Sequence, residues 1–139
     1  MVKISIILPI YNVAPYLDET FESLLNQSLQ EFEIIAVNDG STDKSEEIIR
    51  RYMQQDSRIN YYFQENQGQS VARNLALQHA TGKYVYMMDS DDFLSDPNAL
   101  QICYEYAERN KVDFIFLMVI HFQKKVQTAQ HGIQKELIL

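Results

Sequence analysis

Glycine is scarce in this sequence, four residues in 139, and their spacing builds neither the G-x-G-x-x-G turn of dinucleotide-binding folds nor a P-loop. Cysteine is scarcer still. Cys103 stands alone, which excludes an intrachain disulfide and any zinc site made of several thiolates, and fits a reducing interior. Positive charge is in deficit: 12 Lys and Arg face 19 Asp and Glu, a formal net charge of −7. No basic stripe of the kind that grips a phosphate backbone is present, which excludes a general nucleic-acid binder. Long apolar runs are missing as well. The opening "KISIILPIYN" is too short to span a bilayer and is followed by no small-residue cleavage signature, so neither a signal peptide nor a transmembrane helix is predicted. What remains is a chain that is 46% hydrophobic, free of low-complexity tracts, with the size and composition of one globular domain. Its acidic surplus suits a soluble surface or a site that recruits a cation.

The apolar residues fall in two alternating periods. "ISIIL" (4–8) reads as a strand covered on both faces and closed by Pro9. The next stretch, with Pro15 in its entry turn, places Leu17, Phe21, Leu24 and Leu25 at helical spacing. "IIAV" (34–37) repeats the strand pattern, and "NDGSTD" leads into a helix with Ile48, Ile49, Tyr52 and Met53 on one face. "INYYF" (59–63) is a third strand. It is followed by "QENQGQ" and a helix carrying Val71, Ala72, Leu75 and Ala76 that stops at Gly82. "YVYMM" (84–88) is a fourth strand. A helix burying Leu100, Cys103, Tyr104 and Ala107 then begins at an Asp96 N-cap with Pro97 in its first position, and a fifth apolar run, "FIFLMVI" (114–120), follows. Strands alternating with helices predict an α/β fold with a mainly parallel sheet and helices on both faces.

Ligands of such sheets bind beyond the carboxyl ends of the strands. The unusual polar stretches, "PIYN", "NDGSTD", "QENQGQ" and "DSDD", all fall there. In the last of these, Asp89, Asp91 and Asp92 crowd like charges together, which costs energy unless a cation or a basic group lies among them. A hard divalent ion held by one or two carboxylates plus substrate phosphates answers that cost. Asp39 ends the second strand, where its carboxylate can accept from a base N–H or a ribose hydroxyl. Asp43 with Glu46 has capping-box spacing and is read as a helix cap. Arg73 falls in the first turns of the third helix, placed to meet a phosphate or to balance the aspartates. His79, His121 and His131 lack ligand spacing. The tyrosines at 84, 86, 104 and 106 follow strand or helix periods.

Taken in order, "ISIILPIYNVAPYLDETFESLLNQSLQEFEIIAVNDGSTD", "NQGQSVARNLAL", "ATGKYVYMMDSDD" and "SDPNAL" resemble glycosyltransferase family 2, the inverting GT-A type, over about residues 2–120. The resemblance implies a GT-A fold, a nucleotide-sugar-binding half at residues 1–120, and a tail at 121–139 that is either poorly ordered or the start of an acceptor-binding half. It implies a nucleotide-diphosphate sugar as donor, usually a UDP-sugar, with Mg²⁺ or Mn²⁺, and inverting transfer to a glycan or lipid-linked acceptor in polysaccharide assembly. By position it implies Pro9 and Tyr11 beside the base, Asp39 on the base, and Arg73 near the base or the acidic residues. It further implies Asp89 near the donor sugar, Asp91 at ribose or metal, and Asp92 as principal metal ligand of the D-x-D motif. A soluble domain at the cytoplasmic face of a membrane, peripherally attached, is the implied setting.

The sequence departs from the family where the general base belongs. After residue 120 Glu136 is the only carboxylate, and it is not assigned as a base, so the chain reads as a truncated or naturally short hexosyltransferase-like portion whose catalytic residue is unknown and which is inactive alone. Its last apolar run predicts self-association or a poorly ordered tail. A sugar-phosphate nucleotidyltransferase and a metal-dependent phosphotransferase are weaker alternatives, because "PIYNVAP" follows strand one where the former carries a Gly-rich basic loop and the latter an acidic pair. A non-catalytic nucleotide-sugar-binding or interaction module is the alternative from another class.

Overall fold

A computed structural model describes residues 1–111. The run at 114–120, the tail, Glu136, His121 and His131 lie outside the described residues. Within them the chain alternates β1 (Ile4–Ile10), α1 (Ala14–Leu25), β2 (Phe32–Asp39), α2 (Ser45–Gln55), β3 (Ile59–Gln64), α3 (Gln69–His79), β4 (Tyr84–Met87) and α4 (Ala99–Asn110). The four strands form one parallel sheet in the order β3-β2-β1-β4, which bears out the predicted fold class.

Topology follows from handedness. Two steps in one direction, β1 to β2 to β3, put α1 and α2 on the same face when both crossovers are right-handed. The third step returns past β2 and β1 to β4, so α3 lands on the opposite face. Pleating then divides the side chains. Ile4, Ile6, Leu8 and Ile10 of β1, with Ile34 and Ala36 of β2, pack against Leu17, Phe21 and Leu24 of α1, Ile49 and Tyr52 of α2, and Leu100 of α4. Each large side chain buried in this layer contributes about 1.5–3 kcal/mol. The opposite layer is thinner: Ile7, Ile35 and Val37 meet Ala72 and Ala76 of α3. Of the helix face predicted there, Ala72 and Ala76 are fully buried, Leu75 packs partly buried beside them, and Val71 turns to solvent.

β1 runs through Pro9 rather than ending before it. Tyr84 N–H donates to Lys3 O at 2.9 Å and Met88 N–H to Ile7 O at 3.1 Å, so odd-numbered residues of β1 direct their backbone groups toward β4. Pro9 therefore lacks its N–H on the β4 side, just past the last rung, and the ladder to β2 continues through Pro9↔Val37 and Ile10↔Asn38. The gap between β1 and β4 is the point where the strand order reverses, the usual ligand crevice of an open parallel sheet.

At the other end of the sheet, a buried carboxylate fixes the turn into β4. Glu33 accepts from Ser5 Oγ (2.6 Å), Thr81 N–H (2.8 Å) and Thr81 Oγ1 (2.9 Å). Burial alone pushes the Glu33 carboxyl up, but these hydrogen bonds outweigh it and hold its pKa below the usual value. Gly82 is not the stop of α3, which ends at His79 with Ala80 as its C-cap. It is required by close approach, since a Cβ there would lie 2.5 Å from Ser5 N. Among the described residues, no helix is long and apolar enough to cross a membrane.

Candidate functional site

The acidic segment leaves β4 as a tight turn in which Asp92 N–H donates to Asp89 O at 3.1 Å. Ser90 points inward and is buried, Asp91 is exposed, and Asp89 and Asp92 are half-buried. Charge crowding at this turn is relieved from α3. Arg73 Nη2 donates to Asp89 Oδ1 at 2.5 Å, and Gln69 Nε2 to the same oxygen at 3.0 Å. Arg73 Nε is buried without a hydrogen-bond partner among the described residues. The Tyr86 phenol, beneath the turn, is pushed up to about 12 by burial, with Asp92, Cys103 and Asp89 adding to the effect.

Asp39 closes the second network. It is 2% exposed, and its carboxylate accepts from Gln64 Nε2 (2.7 Å), Gln67 N–H (2.8 Å) and Gly68 N–H (2.9 Å). The carboxylate thus folds the β3–α3 loop over the strand end, and Gly68 enters α3 at φ +93°. Odd positions of β2 share the face of α3, which is why Asp39 and Asp89, from two different strands, both reach the segment 67–73. The structure brings Asp39, Arg73 and Asp89 together there. Pro9 is buried in β1 between those strand ends, and Tyr11 stands 48% exposed in the following loop.

The loops after β1 and β2 are laced to each other. Asn12, at φ +51°, accepts through Oδ1 from Thr42 N–H at 2.8 Å and Asp43 N–H at 3.3 Å. In return Asn12 N–H donates to Ser41 Oγ, Val13 N–H to Ser45 Oγ and Ala14 N–H to Asp43 Oδ2. The expected capping box is corrected here. Lys44 is the N-cap of α2, Glu46 pairs with Arg50, and Asp43 spans the starts of two helices through Ala14 N–H (3.0 Å) and Ser45 N–H (2.9 Å). These bonds outweigh burial and lower its pKa. Asp96 is corrected too: α4 starts later, with Asn98 as N-cap, and Asp96 Oδ1 accepts from Asn98 N–H at 2.8 Å in the preceding turn.

Sequence reasoning missed what holds the acidic segment in place. Thr20, Ser23 and Gln27 lie along one side of α1 and its C-terminal turn. The Thr20 hydroxyl is 2.8 Å from Asp92 O and 3.0 Å from Ser90 O. Ser23 Oγ accepts from Leu94 N–H at 3.0 Å, while Gln27 donates to Asp96 O at 2.9 Å and accepts from Leu100 N–H at 3.1 Å. The available signal was three polar residues at i, i+3 and i+7 beside the apolar stripe.

Among the described residues no group of three His, Cys, Asp or Glu side chains converges to hold a metal ion. The donor chemistry nonetheless suits a hard cation: Asp91, exposed, and Asp92, half-buried, bring two carboxylates to one turn, and Asp89 is bonded to Arg73. Mg²⁺ and Mn²⁺ sites of this type complete their shells with phosphate and water rather than with a protein cage.

The family model described as Glycosyl transferase family 2 matches residues 5–138. The chain is 44% identical over 112 residues to the uncharacterized glycosyltransferase EpsJ of Bacillus subtilis, an alignment covering 81% of this chain and 32% of that protein. Among solved structures, S. aureus TarS 1-349 in complex with UDP-GlcNAc superposes with a TM-score of 0.74 at 31% identity, over 79% of this chain and 32% of that one. The mannosyltransferase PcManGT of Pyrobaculum calidifontis, in complex with GDP-Man and Mn²⁺, gives 0.72 at 26% identity, over 76% and 32%. The chain thus spans about a third of the length of these relatives.

Proposed function

The chain belongs to glycosyl transferase family 2, and from that premise we propose that it binds a UDP-sugar with Mg²⁺ or Mn²⁺ for inverting transfer to a hydroxyl of a glycan or lipid-linked acceptor. The observation carrying this reading is the gathering of Asp39, Arg73 and Asp89 around the start of α3, next to the β1–β4 crevice and the acidic turn. The UDP-GlcNAc and GDP-Man complexes of the two structural neighbours support a nucleotide-sugar ligand, and the second also supports the cation.

In this reading Asp91 and Asp92 hold the cation. When bound, it neutralises the charge that grows on the departing diphosphate. The protein's own part is to arrange. Asp39 fixes the loop that frames the base, Arg73 keeps Asp89 oriented and presents its guanidinium to an anionic ligand, and Pro9 and Tyr11 flank the base. Residues 1–120 are the nucleotide-sugar-binding half, working at the cytoplasmic face of a membrane. No general base is assigned in this chain. The reading predicts tighter UDP binding with Mn²⁺ than with chelator in calorimetry, and loss of most of that difference in Asp92→Asn, which keeps the shape and removes the charge. Metal-independent UDP binding, unchanged in Asp92→Asn, would overturn the cation assignment.

A further inference from the structure

We infer that Thr20 of α1 is a positioning residue for the acidic turn, setting where the Asp91 and Asp92 carboxylates stand; this rests on the cation reading above. Thr20 is 1% exposed, and its hydroxyl is shared among three carbonyls: Asp92 O at 2.8 Å, Ser90 O at 3.0 Å and Tyr16 O at 3.1 Å. The first two bracket Asp91. Ser90 O belongs to the peptide entering Asp91, and Asp92 O to the peptide leaving Asp92; the single O–H donates to one carbonyl at a time, Asp92 O being the nearest, and so ties the backbone beside the two carboxylates to α1.

Nothing regular holds this stretch otherwise. Between the last β4 rung at Met88 and the start of α4, residues 89–98 form neither helix nor strand. The rungs from α1 fall at Thr20, Ser23 and Gln27, a spacing that keeps all three on one side of a helix. They meet the segment in the same order, at Ser90 and Asp92, at Leu94, and at Asp96 and Leu100. Ser28 N–H adds a fourth contact at Pro97 O, 2.7 Å away. Only the Thr20 rung touches the carboxylate-bearing turn. Removing it unties the Asp91–Asp92 backbone from α1, leaving the turn's own Asp92 N–H to Asp89 O bond, while the rungs below still hold the start of α4. A hard cation is sensitive to that loosening, because its ligand geometry is demanding.

The test is calorimetry of UDP binding to the full 139-residue chain, in Mn²⁺ and in chelator, for wild type, Thr20→Val and Thr20→Ser. Valine keeps the volume and removes the hydroxyl; serine restores it. The ratio of affinities with and without Mn²⁺ should fall about tenfold in Thr20→Val, the loss of roughly one hydrogen bond's worth of orientation, and recover in Thr20→Ser. An unchanged ratio in Thr20→Val overturns the inference, as does an equal loss in both conditions, which is the signature of general packing. A wild-type ratio of one overturns the cation reading and this inference together, whereas a metal-dependent wild type with an unaffected Thr20→Val overturns this inference alone. If Thr20→Val does not fold by circular dichroism, Thr20→Ala decides: it removes the same hydroxyl contacts to Asp92 O and Ser90 O, should lower the same ratio, and refutes the inference if it does not.

Discussion

Replacing Asp39 by asparagine tests whether this residue acts through the loop it holds. With the amide oxygen in the place of Oδ1, the bonds from Gln64 Nε2 and Gln67 N–H survive, but the new NH₂ faces Gly68 N–H, donor against donor, where Oδ2 accepted at 2.9 Å. Hydrogen bonds to charged groups contribute about 1.5–3 kcal/mol each. One is lost and two lose their charge assistance, so Asp39→Asn should cost about 2–3 kcal/mol, a drop that a domain with about 5–15 kcal/mol of stability survives. Urea denaturation should show this as a lower midpoint at constant slope. Gly68→Ala supplies the comparison. A Cβ there has nothing within 4 Å, but φ is +93°, so the variant strains the same loop by about 1–3 kcal/mol without touching Asp39. If Asp39 works through the loop, both variants weaken UDP binding, in Mn²⁺ and in chelator alike. A stability loss in Asp39→Asn below about 0.5 kcal/mol, within the range of an ordinary surface substitution, would refute the geometry. Weakened UDP binding in Asp39→Asn beside normal binding in Gly68→Ala would refute the loop argument in favour of direct contact with the base.

Two further outcomes concern the opposite end of the sheet. Because the folded-state pKa of Glu33 is lowered from 4.5, its contribution to stability is present above the unfolded value and is lost as pH falls through the folded one. Glu33→Gln should therefore be less stable than wild type at neutral pH, with the gap closing below about pH 4.5 in denaturant titrations; a gap that stays constant on acidification would contradict this. Gly82→Ala places a Cβ 2.5 Å from Ser5 N and 2.8 Å from Ile4 C. Neither backbone atom can move without shifting β1, so a loss of about 1–3 kcal/mol is expected, and a melting temperature equal to wild type would show that the turn relaxes.

The centre of the sheet was legible in the sequence because β1 and β2 are buried on both faces. Runs such as "ISIIL" and "IIAV" admit few other readings, and their alternation with helical periods fixed the parallel order. Ends were read less well, for reasons specific to each. Pro9 suggested a stop because a proline's missing donor was counted without knowing which neighbour it faced. Asp43 and Asp96 showed cap-like spacing, yet Asp43 also reaches across the fold to Ala14, and Asp96 bonds Asn98 within a turn that precedes the helix. Asp39 and Arg73 stood out by chemistry and position, but their bonds to Gly68 and Asp89 depend on strand parity, which requires the register. Thr20, Ser23 and Gln27 were hidden because a polar residue beside an apolar stripe ordinarily marks the solvent boundary. Here that boundary is covered by residues seventy positions further along the chain.

Pro9 also determines what the sheet cannot become. One more rung between β1 and β4 would need an N–H at Pro9, since that position directs its backbone toward β4. Zipping residues after Met88 onto β1 would skip that rung and leave only the Pro9 carbonyl to accept, so the ladder stops at Met88 N–H to Ile7 O. An extended continuation of β4 into the acidic turn is weakened by one backbone bond. The missing donor thus biases the two strands to part where the crevice begins.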